Sequence, residues 1–385
     1  MLKVAVLGAN GFIGSRTVEI LHLEELAEVR PIVRTTYNLA RLSRFDLDCR
    51  VADAFDQSAL CAAFTGCDII VHAIAGDHKT IVESLSPMYH AAEAAGVRRL
   101  VYLSSASVHG QSPNAGTDEN SSLNDRQTIT YNNSKVHAEM QLRELRKKGS
   151  VEVVMLRPSI VFGPRSYWIS SFASDLLGGQ AYMVDGGKGI CNSIYIDNLI
   201  HAIYLAGITE GIDDEAFIVG DDETITWRDF YRPVVEAFGF NLDKVHDVTY
   251  KPLTKSRKEQ LKQILDSGPS QKILSLFPNK LLSATKAGLS ALIARPHQHS
   301  SPWTFTRFKE TSLSQPIASL EMSLLHQCQY KLPDAKARKV LGYRPSVSFA
   351  EGSRRTIGWL AFAGYPVINA HQFPNPQPSA STYAK

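Results

Sequence analysis

Three evenly spaced glycines directly after a short apolar run constrain this chain more than any other feature. Residues 3–7 are nearly all apolar, as a strand covered on both faces should be, and Gly8-Ala9-Asn10-Gly11-Phe12-Ile13-Gly14 follows at once. Val18, Ile20, Leu21 and Leu23 then fall at helical spacing. A strand ending at Gly8 and a helix starting near Phe12 leave free backbone N–H groups at a positive helix end. The missing side chains let a diphosphate approach. The spacing is Gly-x-x-Gly-x-x-Gly rather than Gly-x-Gly-x-x-Gly, and its weight comes from its place at the first strand–helix junction. A tight turn with no ligand is the alternative.

The rhythm set there continues. Apolar runs recur at residues 29–33, 68–71, 100–103 and 151–156, with helical stretches between them, notably 86–95 and 130–148. Strand and helix in alternation predict an α/β fold, a doubly wound parallel sheet of the Rossmann type. After about Pro164 the rhythm changes, so the expected division is a dinucleotide-binding domain over 1–164 and a smaller, mostly helical substrate domain over 165–371. Within the latter, 251–328 reads as a lysine-rich helical insert, and segments such as 190–206 as returning to the Rossmann core. The Pro-, Ser- and Ala-rich tail, 372–385, reads as disordered. The chain has 385 residues, 44% apolar and 21% charged, which is ordinary for a globular protein. A net charge of +3 is too small to argue for nucleic acid. Five cysteines without a Cys-x-x-Cys pair fit a reduced, cytoplasmic protein better than a disulfide or zinc framework, so no metal site is expected. No run of uncharged apolar residues is long enough for a spanning helix.

Several residues in this frame carry chemistry. Tyr131 and Lys135 lie four apart in Thr130-Tyr131-Asn132-Asn133-Ser134-Lys135, on one face of a helix. A phenol titrates near ~10, and a neighbouring cation favours its ionised form. Ser105 lies where the strand from Leu100 ends, and hydroxyls at that end of a parallel strand face the ligand crevice. Arg34, after the second strand, suits a 2′-phosphate and so leans toward NADP over NAD, with a solvated surface arginine as the alternative. Asp53, in Val51-Ala52-Asp53-Ala54, is placed either to face an adenine amino group or to cap its own loop.

Gly8-x-x-Gly11-x-x-Gly14, Ser105, Tyr131-x-x-x-Lys135 and the segment from Leu156 through Pro164 stand in the order found in extended short-chain dehydrogenases/reductases, a group that includes nucleotide-sugar epimerases and dehydratases. The chain resembles that family over about 1–250 and 329–362, including a later strand-and-Asp segment at 195–199 and a signature at 334–345. The resemblance implies that Tyr131 exchanges a proton with the substrate oxygen while the nicotinamide exchanges hydride. It implies that Lys135 lowers the Tyr131 pKa and holds the ribose, and that Ser105 polarises the reacting oxygen. Cofactor contacts are expected from Gly8, Asn10, Gly11, Phe12, Ile13 and Gly14. Arg34, Asp53, Ala54, Ala73 and Pro158 are expected to add to them, along with Tyr131 and Lys135. His109, Phe162, Tyr167 and Trp168 are candidate substrate contacts, His109 standing where the family often carries Tyr. Ala106-Ser107 after Ser105 argues against sugar dehydration, and Ile190-Cys191-Asn192 weakens a nucleotide-sugar substrate.

The expected function is therefore NAD(P)-dependent redox chemistry on a small-molecule secondary alcohol or ketone. Nucleotide-sugar epimerisation with tightly bound NAD is the alternative, and a non-catalytic dinucleotide sensor a third reading. Leucines and lysines over 273–294 suit either an amphipathic helix in peripheral contact with a membrane or a helical lid on the substrate domain. The family resemblance also admits a homodimer.

Overall fold

In the structure, a computed structural model, residues 1–249 and 316–368 are described. The 273–294 segment and the 372–385 tail lie outside the described residues. Seven strands form one parallel sheet: β1 (Lys3–Leu7), β2 (Glu28–Val33), β3 (Arg50–Val51), β4 (Ile69–His72), β5 (Arg99–Leu103), β6 (Glu152–Pro158) and a last strand at Ala216–Val219. From one edge to the other the order is Ala216–Val219, β6, β5, β4, β1, β2, β3, so the crossover between halves falls between β1 and β4. Ligands of such sheets sit at the carboxyl ends of the strands beside this switch point.

Period-two alternation explains the two cores. Val4, Val6, Val101 and Leu103 face one side, where helix α1 (Phe12–Leu23) and the helix Ile196–Ile208 bury Val18, Leu199 and Ile200. Ala5, Leu7, Leu100 and Tyr102 face the other, under Phe64, Met88, Ala138 and Leu142. Helix Ile196–Ile208 lies against α1, β5 and β6, so the segment near 190–206 packs on the sheet. Arg16 of α1 clips the two helices together, its Nε donating to Asp197 at 2.7 Å.

Beyond β6 the chain builds smaller pieces. Ile160–Phe162 pairs in parallel with Ser193–Tyr195, and Ile190–Cys191 pairs antiparallel with Ile225–Thr226. The helix Trp227–Ala237 starts on a capping box, Thr226 with Asp229, which satisfies two otherwise orphaned backbone donors. Helices Ala335–Leu341 and Phe349–Phe362 follow near the end of the described chain. The end of the expected insert belongs to this same body: Leu320–Leu325 is helical, and the His326 ring stacks on Trp227 at 4.8 Å. No described helix is long and apolar enough to cross a membrane.

Candidate active site

The glycine turn fits a close-approaching ligand. Gly8 has φ +85°, a conformation that side chains disfavour, and a Cβ there would stand 2.9 Å from the Ala73 carbonyl oxygen. A Cβ on Gly14 would collide with the Gly8 carbonyl, so helix and turn meet this closely only because Gly14 lacks one. Gly11 caps α1 without a side-chain bond, which leaves the first helical N–H groups, from Phe12 onward, for an anion. Asn10 donates to Asn38 Oδ1 at 3.3 Å, and its carbonyl accepts from Arg41 Nη1 at 3.1 Å, fixing the turn from outside. Arg34 is exposed just past β2, and its guanidinium has no hydrogen-bond or ion-pair partner among the described residues. Asp53 accepts the Phe55 N–H at 3.0 Å and so caps its own loop beside half-buried Ala54. A diphosphate and a dinucleotide thus fit the residues present.

The other half of the site forms where β5 and β6 end. Ser105 caps a short 3₁₀ turn, Ala106–His109, by accepting the Ser107 N–H at 3.2 Å. Its hydroxyl lies near enough to the Tyr131 phenol to favour the ionised form. Lys135 is 2% exposed; its Nζ donates to the Leu103 carbonyl at 2.8 Å and to the Tyr102 hydroxyl at 3.3 Å. Burial lowers its pKa to about 8, against the pull of Glu139. The expectation that Lys135 depresses the Tyr131 pKa is not met in the free chain. Although Tyr131 is 38% exposed, burial around its oxygen pushes the phenol up to about 12. The ammonium stands 5.9 Å from the Tyr131 ring centre and spends its bonds on β5, which explains the difference.

A solvent-open cleft of about 440 Å³ leads away from Ser105. Its walls come from Ser105–Ser107, Gly110, Gln111 and Pro113, from Pro158–Ile160, and from Ile190, Asn192, Trp227, Leu325, Cys328 and Leu332. Neither lysine nor arginine is among them. Asn192 ties the wall together: its Nδ2 donates to the Tyr330 carbonyl at 3.0 Å and its Oδ1 accepts the Leu332 N–H at 2.9 Å.

The candidate substrate contacts divide differently from expectation. Pro158 lines the cleft. Phe162 is 1% exposed, packed edge-on to Tyr195 at 5.4 Å and to Phe230 at 5.5 Å, in the core behind the cleft. Tyr167 is 78% exposed, and Trp168 packs behind the wall residue Trp227 at 6.0 Å. His109 joins a buried network instead: its Nε2 faces Arg157 Nη1 at 3.2 Å, and burial with that cation lowers its pKa to about 4. A neutral histidine accepting from Arg157 holds a loop in place. Arg157 is also paired through both arms to Glu139, at 2.9 and 2.7 Å, and Ser104 Oγ donates to the same carboxylate at 2.5 Å. Glu139 stands four residues beyond Lys135, so the helical spacing that singles out Tyr131 and Lys135 extends to it. Gln111, Asn192 and Glu321 carried no such signal.

A parallel sheet with a glycine turn at its switch point and a Ser–Tyr–Lys set at the neighbouring strand ends defines a nicotinamide-dependent enzyme of the extended short-chain type. Residues 4–220 match the NAD dependent epimerase/dehydratase family, and the chain belongs to it. The 3 beta-hydroxysteroid dehydrogenase/Delta 5-->4-isomerase of Mycobacterium tuberculosis is 29% identical over 260 residues, 62% of this chain and 70% of that protein. The decarboxylating sterol-4-alpha-carboxylate 3-dehydrogenase of Dictyostelium discoideum is 24% identical over 273 residues, 66% of this chain and 82% of that one. In fold, the chain is similar to the dTDP-glucose 4,6-dehydratase DesIV of Streptomyces venezuelae, solved with NAD and TYD bound. That match has a TM-score of 0.66 and 22% identity, covering 94% of this chain and 97% of that one.

Proposed function

We propose that this chain is a dehydrogenase or reductase that moves hydride between a nicotinamide cofactor and the secondary alcohol or ketone of a mainly apolar small molecule. The observation that carries the reading is that Ser105, which lines a cleft whose wall holds no charged residue, lies beside the Tyr131 phenol, with Lys135 buried one helical turn on. The glycine turn from Gly8 to Gly14 would hold the diphosphate, with Asp53, Ala54 and Ala73 along the adenosine side and Pro158 near the nicotinamide. When bound, the nicotinamide supplies the hydride acceptor for oxidation or the donor for reduction. Tyr131 takes the proton of the alcohol as its phenolate during oxidation, and as the phenol gives its proton to the developing alkoxide during reduction. Ser105 donates a hydrogen bond to the reacting oxygen and polarises it. Lys135, bonded to β5, would meet the ribose hydroxyls.

Arg34 supports NADP as the preferred cofactor, because it is a free cation at the position where an acid would otherwise bind the ribose. Residues 1–164 would hold the dinucleotide and supply part of the cleft wall, with 165–371 supplying the rest of the substrate side. A cytoplasmic homodimer fits this reading.

The relatives that act on hydroxysteroids favour an apolar polycyclic alcohol, in keeping with Trp227, Ile160, Ile190, Leu325 and Leu332 in the cleft wall. Nicotinamide absorbance should change in proportion to hydroxysteroid consumed, and Tyr131→Phe should lower kcat by about 10²- to 10⁴-fold with cofactor affinity retained. Full turnover by Tyr131→Phe would remove the assignment. Conversion of substrate with no net absorbance change would mark an epimerase instead.

A further inference from the structure

A carboxylate from the far end of the chain is bonded to a wall residue of this cleft. Glu321 lies on the helix Leu320–Leu325, whose N-terminus Ser319 caps by accepting the Met322 N–H. Residues four apart share a helix face, so Glu321 points the same way as Leu325, which lines the cleft. Gln111, another lining residue, donates its Nε2 to Glu321 Oε1 at 2.9 Å. That bond joins segments 210 residues apart. Glu321 is half-buried, and no described cation forms an ion pair with it. Its charge is also felt at Tyr131, where it opposes the phenolate.

A glutamate in the first turn of a helix is commonplace, since it suits the positive end of the helix dipole. Such a residue usually faces water. Here it is half-buried and held by a cleft residue, near enough to Tyr131 to oppose its ionisation. Its second oxygen has no described partner and remains able to accept a hydrogen bond.

We propose that Glu321 is a specificity residue that makes the cleft accept uncharged or hydrogen-bond-donating substrates and reject those with an anion next to the reacting carbon. The proposal rests on the dehydrogenase reading, because it assumes the reacting carbon lies at Tyr131. Discrimination by an unfavourable contact is a general route to specificity, and two like charges brought together in a partly dry cleft repel strongly. With no lysine or arginine in the described wall, nothing there offsets that repulsion. A hydroxyl or amide N–H in the same place would instead donate to the free oxygen. Of two alcohols alike but for the group beside the carbinol, the carboxamide should bind and the carboxylate should not.

The test uses the full chain with cofactor and a matched pair of probes, a 3β-hydroxysteroid 4α-carboxylate and its carboxamide. Affinity is read by quenching of tryptophan fluorescence, which Trp227 in the wall should report, and turnover separately by nicotinamide absorbance. The wild type should bind the carboxamide at least tenfold more tightly than the carboxylate. Glu321→Gln should bring the ratio close to one, and Glu321→Lys should invert it. An unchanged ratio in both variants overturns the proposal, as does a wild type that favours the carboxylate or binds neither probe. Selective binding without any absorbance change leaves Glu321 in its role and removes the dehydrogenase reading.

Discussion

Lys135 and Glu139 sit one turn apart on the helix Thr130–Lys148, both almost wholly buried, and their surroundings could hardly differ more. Glu139 is saturated, with two bonds from the Arg157 fork and one from Ser104. Among the described residues, Lys135 has no carboxylate in contact and only two neutral oxygens as acceptors. Beside it, His72 is fully buried with neither ring nitrogen bonded, and its ring centre lies 5.3 Å from that of Tyr102. Burial, with Lys135 adding repulsion, lowers the His72 pKa to about 3, so it stays neutral. A charge with every partner in place is a structural joint. A buried charge short of partners costs stability, and a fold keeps one where something else will bind.

The largest effect is expected at the joint. Glu139→Gln would leave the Arg157 guanidinium buried against a neutral amide, and breaking such a pair costs about 3–5 kcal/mol. The loss should appear as a lower urea midpoint with an unchanged slope. It should also loosen the loop anchored by His109 and the Glu119 carbonyl, both of which meet Arg157. A variant as stable as the wild type would show that the pair is not the joint described.

Lys135 should behave in the opposite sense. Its folded pKa of about 8 lies below the ordinary 10.5, so between those values the unfolded chain binds more protons than the folded one. Stability from this group therefore rises with pH across that window, and below it the full cost of a buried ammonium is present. Lys135→Met should raise the stability of the cofactor-free protein near neutral pH by on the order of 2 kcal/mol while abolishing turnover. The advantage should shrink toward zero as the pH approaches about 10. Equal differences in urea midpoint at both pH values would mean that no desolvated charge is carried there.

The contrast also explains what could be read from the sequence. Gly8, Gly11, Gly14, Ser105, Tyr131 and Lys135 lie at fixed offsets within single strand–turn–helix units, so local spacing reveals them. Five of the seven sheet strands follow from apolar runs for the same reason, whereas the two edge strands, β3 and Ala216–Val219, do not. The cleft wall is different. Gln111, Asn192, Trp227 and Leu332 meet only after distant segments fold together, and none stands in a local pattern. Phe162 and Trp168 were expected at the ligand because aromatics suit apolar pockets, yet the same property draws them into the core. His109 shows the limit most clearly. A histidine beside a candidate active serine invites a catalytic reading, but Arg157, 48 residues away, makes it an acceptor in a buried network.

The smallest effect belongs to a charge with neither burial nor partner. Arg34 is exposed, so its removal should leave stability unchanged within about 0.5 kcal/mol. Its contribution would come from a single charge-assisted bond to a 2′-phosphate, worth roughly one power of ten in affinity. Arg34→Ala should therefore raise the dissociation constant for NADP by about tenfold and that for NAD by less than about twofold, measured by titration calorimetry. Equal losses for the two cofactors would make Arg34 a general contact of the crevice. No loss for either would leave it a solvated surface arginine. Only a selective loss fits a cation kept open at the ribose end of the crevice, the exposed counterpart of the one buried at Lys135.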